Sequence, residues 1–366
     1  MEKRVTLRDI AELTGVHFTT VGLALRHDPR VKPVTMSRVL TAAETLGYTR
    51  NAMLSALTAY RRTHDRRFAG VIAYIYNYAP DDYEGNLAET TLRNSVTTYA
   101  KSQGFSLEIF QLAGTGMTAH QLSRILRARG IQGVLLPPRL PVPGAMPPLD
   151  WDDFSVVAVG YSITNVAAHR VAIHHSHNMR LCLRKLRERG YRRIGLVLPR
   201  QFSERSLGTM LGSYLSEQYG RAASDRVTPL LPQEVSRHAL GRWLKAERVD
   251  CVILPGYPLE VCDWIQTLGY RVPDDLGICL ISRFGKSEDI AGIDEQNDLL
   301  GVAAGRSVVS LLQHNECGLP EYPSYTMVEG RWVEGPTIRA APGQSLPTGP
   351  ARSAVRRASN APRNGT

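Results

Sequence analysis

Apolar and polar positions change rhythm along the chain, and the rhythm divides it. Near the start, Leu7, Ile10 and Ala11 recur at helical spacing behind Thr6, with Asp9 three residues after Thr6. This is a variant capping box, with Asp in place of Glu. Gly15 is free to take positive φ, so the pattern predicts that the first helix stops there, with Val16 plugging the turn. Val21, Ala24 and Leu25 mark the inner face of a second helix from Phe18 to about Arg26, which His27-Asp28-Pro29 breaks. A third helix is predicted from Thr35, with Val39, Ala42, Ala43 and Leu46 as its buried stripe and Gly47-Tyr48 closing it. Two short helices joined by a tight turn, with a third packed on them, form a module that can set one helix in the DNA major groove.

From Phe68 short apolar runs alternate with longer amphipathic ones. Strands are predicted over 70–76, 106–111, 133–136, 155–159, 170–173, 193–198, 251–254 and 277–281. Helices fit over 86–103, 120–128, 178–189 and 206–218. Strand-helix alternation implies an α/β fold, parallel sheets with helices on both faces. No Gly-x-Gly-x-x-Gly follows a strand, so a dinucleotide site has no support. Beyond Arg339 the chain is rich in Pro, Gly, Ser and Arg with little to bury, which predicts disorder.

Charge sharpens the picture. Residues 1–67 hold 12 Lys and Arg against 6 acids, and the tail from Pro342 holds four Arg with no acid. The 274 residues between them hold 28 charges of each sign. Positive ends on a neutral body suggest a polyanion partner for the ends, although a basic tail also serves solubility alone. The composition, 43% hydrophobic and 21% charged, is that of a soluble globular protein. No apolar run reaches the ~18 residues that span a bilayer, and no apolar run stands at the N-terminus as a signal peptide requires. The expectation is a cytoplasmic, nucleoid-associated protein with no membrane partner. Five cysteines without a Cys-x-x-Cys predict reduced, mostly buried thiols rather than a disulfide framework or zinc module.

The start Val5-Thr-Leu-Arg-Asp-Ile-Ala11, the Gly15-Val16 turn, Thr20-Val21 and Gly47-Tyr48 followed by Asn51 resemble the LacI family of bacterial transcription regulators. Further matches are Gly190-Tyr-Arg-Arg-Ile-Gly-Leu-Val197, Arg205-Ser-Leu-Gly208 and Ile293 to Gly301, so the resemblance runs from about Val5 to Arg339. It implies an all-α helix-turn-helix domain (1–48), a hinge helix and linker (49–66) and a periplasmic-binding-protein-like body of two subdomains (67–341), before the basic tail (342–366). It also implies a homodimer on double-stranded operator DNA, a transcription regulator of the repressor kind, with no cofactor. By position, Phe18, Thr19 and Leu23 would read bases. His17 and Thr20 match positions that mostly hold the phosphate backbone, and Thr6 is a further DNA-binding residue. Asn51, Leu54 and Leu57 match the hinge, where Leu57 would wedge into the minor groove. A plain linker helix also fits that segment. Leu23 and Gly22 depart from the common pattern, and the usual Pro is Arg50. Phe18 and Leu23 cannot donate to guanine but can touch a thymine methyl, which predicts softer direct readout and more weight on phosphates and DNA shape.

The body's cleft would hold a small effector. The resemblance places Tyr76, Asn77, Tyr78, Arg205, Tyr257 and Arg283 there, where a guanidinium could grip a hydroxyl, carboxylate or phosphate. A structural ion pair is the other reading of Arg205. The amide and acidic groups usual after the strands ending at Leu254 and Ile281 are missing. The cleft should therefore be more aromatic and basic than a sugar pocket, and it holds either a different effector or none. His174, His175 and His177 lack a Cys or acidic partner at ligand spacing, so they read as solvent or cleft-lining groups and no metal is expected. No Ser-His-Asp or paired-carboxylate spacing supports catalysis. A solute-binding receptor without a DNA role is the alternative function. It explains the body but not residues 1–62. An enzyme on a doubly wound fold is a third.

Overall fold

The computed structural model describes residues 7–25, 28, 30–46, 70–79, 85–138, 143–256, 259–283 and 289–341. The chain divides into two compact units, Met1–Arg67 and Phe68–Thr366. Thr6, the hinge segment with Asn51, Leu54 and Leu57, and the tail from residue 342 lie outside the described residues, as does Tyr257.

The first unit packs α1 (Leu7–Thr14), α2 (Phe18–Ala24) and α3 (Pro33–Thr45) around one core. Ile10, Val21, Ala24 and Val39 are fully buried there, closed by Val31, Ala42 and Ala43. Each such aliphatic side chain contributes about 1.5–3 kcal/mol by leaving water, so this small core makes a marginal unit. Gly15 takes φ 64°, and the Val16 amide donates back to the Ala11 carbonyl at 3.2 Å, a Schellman closure that needs the left-handed residue. Val16 then packs on the core. The third helix starts at Pro33 rather than Thr35, because proline at the first turn surrenders no hydrogen bond. Leu25 lies just past α2, half-buried against the core.

The second unit is α/β with two sheets. Among the described residues, the first sheet runs in the order β10 (Tyr325–Val328), β5 (His169–Ile173), β4 (Ser155–Val159), β3 (Gly133–Leu136), β1 (Gly70–Tyr76) and β2 (Phe105–Gln111), all parallel. The second runs β11 (Arg331–Val333), β9 (Gly292–Asp294), β8 (Gly277–Arg283), β7 (Cys251–Leu254) and β6 (Ile194–Leu196), with β11 antiparallel.

Strand alternation assigns each sheet two cores. In β1, Ile72, Tyr74 and Tyr76 face α4 (Leu87–Ser102) and α11 (Asn297–His314), while Ala73 and Ile75 face α5 (Ala119–Ala128). In β7, Cys251 and Ile253 face α6 (His175–Glu188) and α8 (Thr209–Tyr219). Val252 and Leu254 face α9 (Arg237–Glu247) and α10 (Glu260–Thr267). Burial on both faces explains why these strands read as continuous apolar runs.

The chain crosses between the sheets three times among the described residues. It leaves the first at His174, returns through Glu295-Gln296, and crosses again at Glu329-Gly330. The crossings are laced together: the Gly330 amide donates to Asn178 Oδ1 at 2.8 Å, Gln296 Nε2 to the Glu329 carbonyl at 2.7 Å, and the His174 amide to the Val328 carbonyl at 2.8 Å.

The helix predicted over 206–218 is α8, which begins only at Thr209 because Leu207 and Gly208 take positive φ, 49° and 69°; the short helix α7 (Arg200–Arg205) that precedes them is an addition. The helix predicted from Asn178 begins at His175, where the His174 ring accepts the His177 amide at 3.2 Å and caps it. The short strands β9, β10 and β11 are additions. No described helix is long and apolar enough to cross a membrane.

Candidate functional site

On the three-helix module the turn before α2 presents His17 and Phe18 to solvent. Their rings stand 4.4 Å apart, and Phe18 is 44% exposed, unusual for a large apolar side chain in so small a unit. Thr20 is half-buried, and Thr19 lies in the same helix. Leu23 is half-buried and packs against the core, so its side chain is divided between fold and surface. Thr14, buried, donates to the Ile10 carbonyl at 2.7 Å and seals the end of α1. Arg30 is held by Asp28 through two hydrogen bonds of 2.9 and 2.7 Å, leaving Lys32 and Arg38 as exposed cations nearby in sequence.

In the body, groups from both sheets meet beside the crossings. The sequence-predicted residues fare differently there. Tyr76 does not line the cleft: it is fully buried on the helix-facing side of β1, its hydroxyl donating to Glu89 and receiving Arg93 Nη1 at 3.2 Å. This corrects the expectation, and the reason is the period of two that puts Tyr76 on the face of Ile72 and Tyr74. Asn77 Nδ2 donates to the Ala145 carbonyl at 3.2 Å, and the Tyr78 hydroxyl donates to the Pro138 carbonyl at 2.8 Å. Arg283 is half-buried at the end of β8. Arg205 closes α7, its guanidinium 5.5 Å over the Phe202 ring.

Around Arg205 the structure gathers Tyr78, Glu295 and His175, close enough to bias one another's charge. Ser282 donates to Glu295 Oε2 at 2.5 Å, and His175 Nδ1 stands 3.7 Å from Glu295 Oε1. The Tyr161 ring lies 6.0 Å from that of His175. Burial lowers the Arg205 guanidinium from its usual value, with Glu295 and Tyr78 opposing the shift. Burial pushes Glu295 up to about 7, against the Ser282 hydrogen bond and the Arg205 charge, while Asp294 adds to the rise. Burial, then Arg205 and His174, push His175 down to about 4, so its ring is neutral at physiological pH.

Sequence reasoning missed Glu295, Ser282 and Tyr161. Their signal was positional: each stands at or just beyond the carboxyl end of a strand, where α/β sheets place ligand groups. His174 acts as a helix cap, and His177 Nδ1 lies 3.2 Å from Glu329 Oε1. Among the described residues, no group of three or more His, Cys, Asp or Glu is arranged to hold a metal ion. All five cysteines are free, and Cys182, Cys251, Cys262 and Cys279 are buried.

Comparison with known proteins bears on both units. Residues 6–51 match the model of the bacterial regulatory proteins, lacI family. Over 60 residues, 16% of this chain, it is 42% identical to a protein of Bacillus subtilis (strain 168) described as a probable HTH-type transcriptional repressor, ExuR. The matches span 18% and 36% of the lengths of the first two curated relatives. A solved LacI-family protein from Rhizobium etli superposes with a TM-score of 0.58 at 17% identity, covering 74% of this chain and 99% of that one. The lac repressor dimer, solved on its operator with an anti-inducer, superposes with a TM-score of 0.51 at 16% identity, covering 92% of this chain and all of that one. At such identities the likeness is one of fold. Over its N-terminal module, then, the chain is similar to the lacI family of bacterial regulatory proteins, and the rest of it shares the fold of the solved structures named above.

Proposed function

We propose that this chain is a sequence-specific DNA-binding transcription regulator of the repressor kind, acting as a homodimer on a near-palindromic operator in the cytoplasm, at the nucleoid. The observation that carries the reading is the exposed His17-Phe18 edge of α2 on a three-helix module within the family match. Phe18, Thr19 and Leu23 face base edges. Thr6, His17 and Thr20 hold phosphates, and Asn51, Leu54 and Leu57 engage the minor groove at the operator's centre. With Leu23 partly committed to the core, Phe18 carries most of the apolar contact. The net charge of +6 over residues 1–67 supplies the nonspecific attraction to phosphate.

The body is the control element and not a catalyst. A small effector bound beside Arg205, between groups of the two sheets, favours one arrangement of the crossings. The dimer passes that preference to the DNA-binding halves. Selection of duplexes from a random pool with the full chain tests the reading. A near-palindrome should be enriched, and equal affinity for its scrambled counterpart would reject it.

A further inference from the structure

We infer that Cys182 and Cys279 form an oxidation site, a buried dithiol that closes to a disulfide when the chain meets a peroxide, cross-linking α6 to β8.

The two sulfurs stand 3.3 Å apart although 97 positions separate them in sequence, and both side chains are fully buried. Cys182 lies on the inner face of α6 and Cys279 inside β8, in the core they share with Met179, Leu183, Ile253 and Ile281. As thiols they gain little from this contact, because S–H is a weak donor and sulfur a weak acceptor. A disulfide bond is about 2.05 Å long, so the atoms need to close by only about 1.2 Å, a matter of side-chain rotation and a small shift of the helix. The other cysteines are placed differently. Cys262 sits in the core on the opposite face of the sheet, and Cys317 is exposed. Cys251 lies in the same core, but Cys182 is the thiol that Cys279 touches.

Burial and the neighbouring thiols raise Cys279 well above the usual thiol range, so the pair rests reduced and reacts slowly. β8 is flanked by β7 and β9, whereas α6 covers the sheet from outside, so an opening of the helix exposes Cys182 first. The Cys182 sulfur attacks a peroxide oxygen, the O–O bond breaks, and the departing hydroxide takes the thiol proton to become water. The Cys279 sulfur then attacks the sulfur of the resulting sulfenic acid. The S–S bond forms, the S–O bond breaks, and the second hydroxide leaves as water with the Cys279 proton. Two thiols lose two electrons, and one hydrogen peroxide becomes two waters. In the cytoplasm proposed above such a bond is transient, and reducing thiols reopen it. Its consequence lies at the crossings. α6 begins at His175 and β8 carries Ser282, the two groups that face the Glu295 carboxyl, and the link fixes these two elements to each other.

The test exposes the full chain, reduced and native, to hydrogen peroxide, followed by thiol counting and peptide mapping by mass spectrometry. A peptide joining Cys182 to Cys279 should appear more slowly than Cys317 reacts, while Cys251 and Cys262 stay free. Dithiothreitol should remove the link. The cross-linked chain should unfold at a urea concentration higher by about 0.5 M or more. Cys182→Ala should leave Cys279 reduced and abolish that shift, and Cys279→Ala serves in its place if the first variant does not fold. Buried thiols that all stay reduced while Cys317 oxidises would overturn the inference. So would a link that forms only in urea, a link through Cys251, or an unshifted midpoint.

Discussion

The hydroxyl of Ser282 donates to Oε2 of Glu295 at 2.5 Å, tying the end of β8 to the crossing that returns the chain to the first sheet. Across the same carboxyl, His175 approaches Oε1 at 3.7 Å. These two half-buried titratable groups are shifted in opposite directions, and their contributions to stability oppose each other. Glu295 is raised to about 7, so the folded state binds its proton more tightly than the unfolded one. That stabilisation is full in acid and is lost as pH rises through about 7. His175 is lowered to about 4, so the folded state favours the neutral ring. That stabilisation is full above its ordinary value and is lost as pH falls toward 4. Between roughly pH 4.5 and 6.5 the two slopes nearly cancel. Glu295→Gln should unmask the histidine. Urea melts at pH 6.5 and 4.5 should show the variant losing about 1 kcal/mol more per pH unit than the wild type. Parallel curves for the two proteins would show that the pair does not titrate in this way.

Gly301 sets the spacing of α11 on α4. A methyl group there would stand 2.4 Å from the Leu92 carbonyl oxygen and 2.7 Å from Ser95 Cβ, and both are backbone-fixed. Gly301→Ala should therefore destabilise the body by about 1–3 kcal/mol as the helices part, seen as a lower midpoint in thermal or urea melts. Gly212, with nothing within 4 Å, is the control and should tolerate Ala.

Arg170 is buried and uses its fork on three carbonyls: Gly160 at 3.1 Å, and Ile163 and Val166 at 2.8 Å each. It shapes the segment after β4 that carries Tyr161. Arg170→Met should cost about 2–4 kcal/mol, because it strands buried acceptors. Arg170→Lys should recover only part of that, since a single ammonium cannot reach all three. Denaturant titration of the three proteins measures both.

In the DNA-binding module, fold and contact separate by residue. Val21 is fully buried, and Val21→Ala should lower the stability of the module by about 1–2 kcal/mol. Phe18 is 44% exposed, and Phe18→Ala should leave the module's melting nearly unchanged while weakening operator binding about tenfold. Circular dichroism and fluorescence anisotropy on the selected duplex distinguish the two. A Phe18 variant that unfolds, or one that binds as the wild type does, would place the contact elsewhere.

Operator affinity should also fall steeply with salt. Each phosphate neutralised contributes a slope of about −0.9 in log K against log salt. Six or so contacts per dimer would lower affinity by about a thousandfold between 50 and 200 mM. A shallow slope would mean that the basic N-terminal region does not lie along the DNA backbone.

Local rules make much of this protein legible in its amino-acid order. The turn at Gly15 follows from glycine's freedom at positive φ, and the core residues Ile10, Val21 and Val39 follow from helical spacing. The strands at 70–76, 133–136, 155–159 and 251–254 follow from short apolar runs bounded by turn residues. These features depend on neighbours within a few residues, so the sequence carries them openly. Facing is harder to read in a strand buried on both sides, because apolar residues then stand at every position. That is why Tyr76 reads as a cleft residue when it belongs to the core under α4.

The cleft itself is decided by tertiary structure. Arg205, Ser282 and Glu295 lie up to ninety residues apart in sequence, and nothing local links them. Their proximity exists only because three crossings bring the ends of two sheets together, and there burial raises Glu295 toward neutrality. Composition can state that a guanidinium and a carboxylate are present. Only the fold determines how far water still reaches them, and with it how readily the carboxylate gives up its proton.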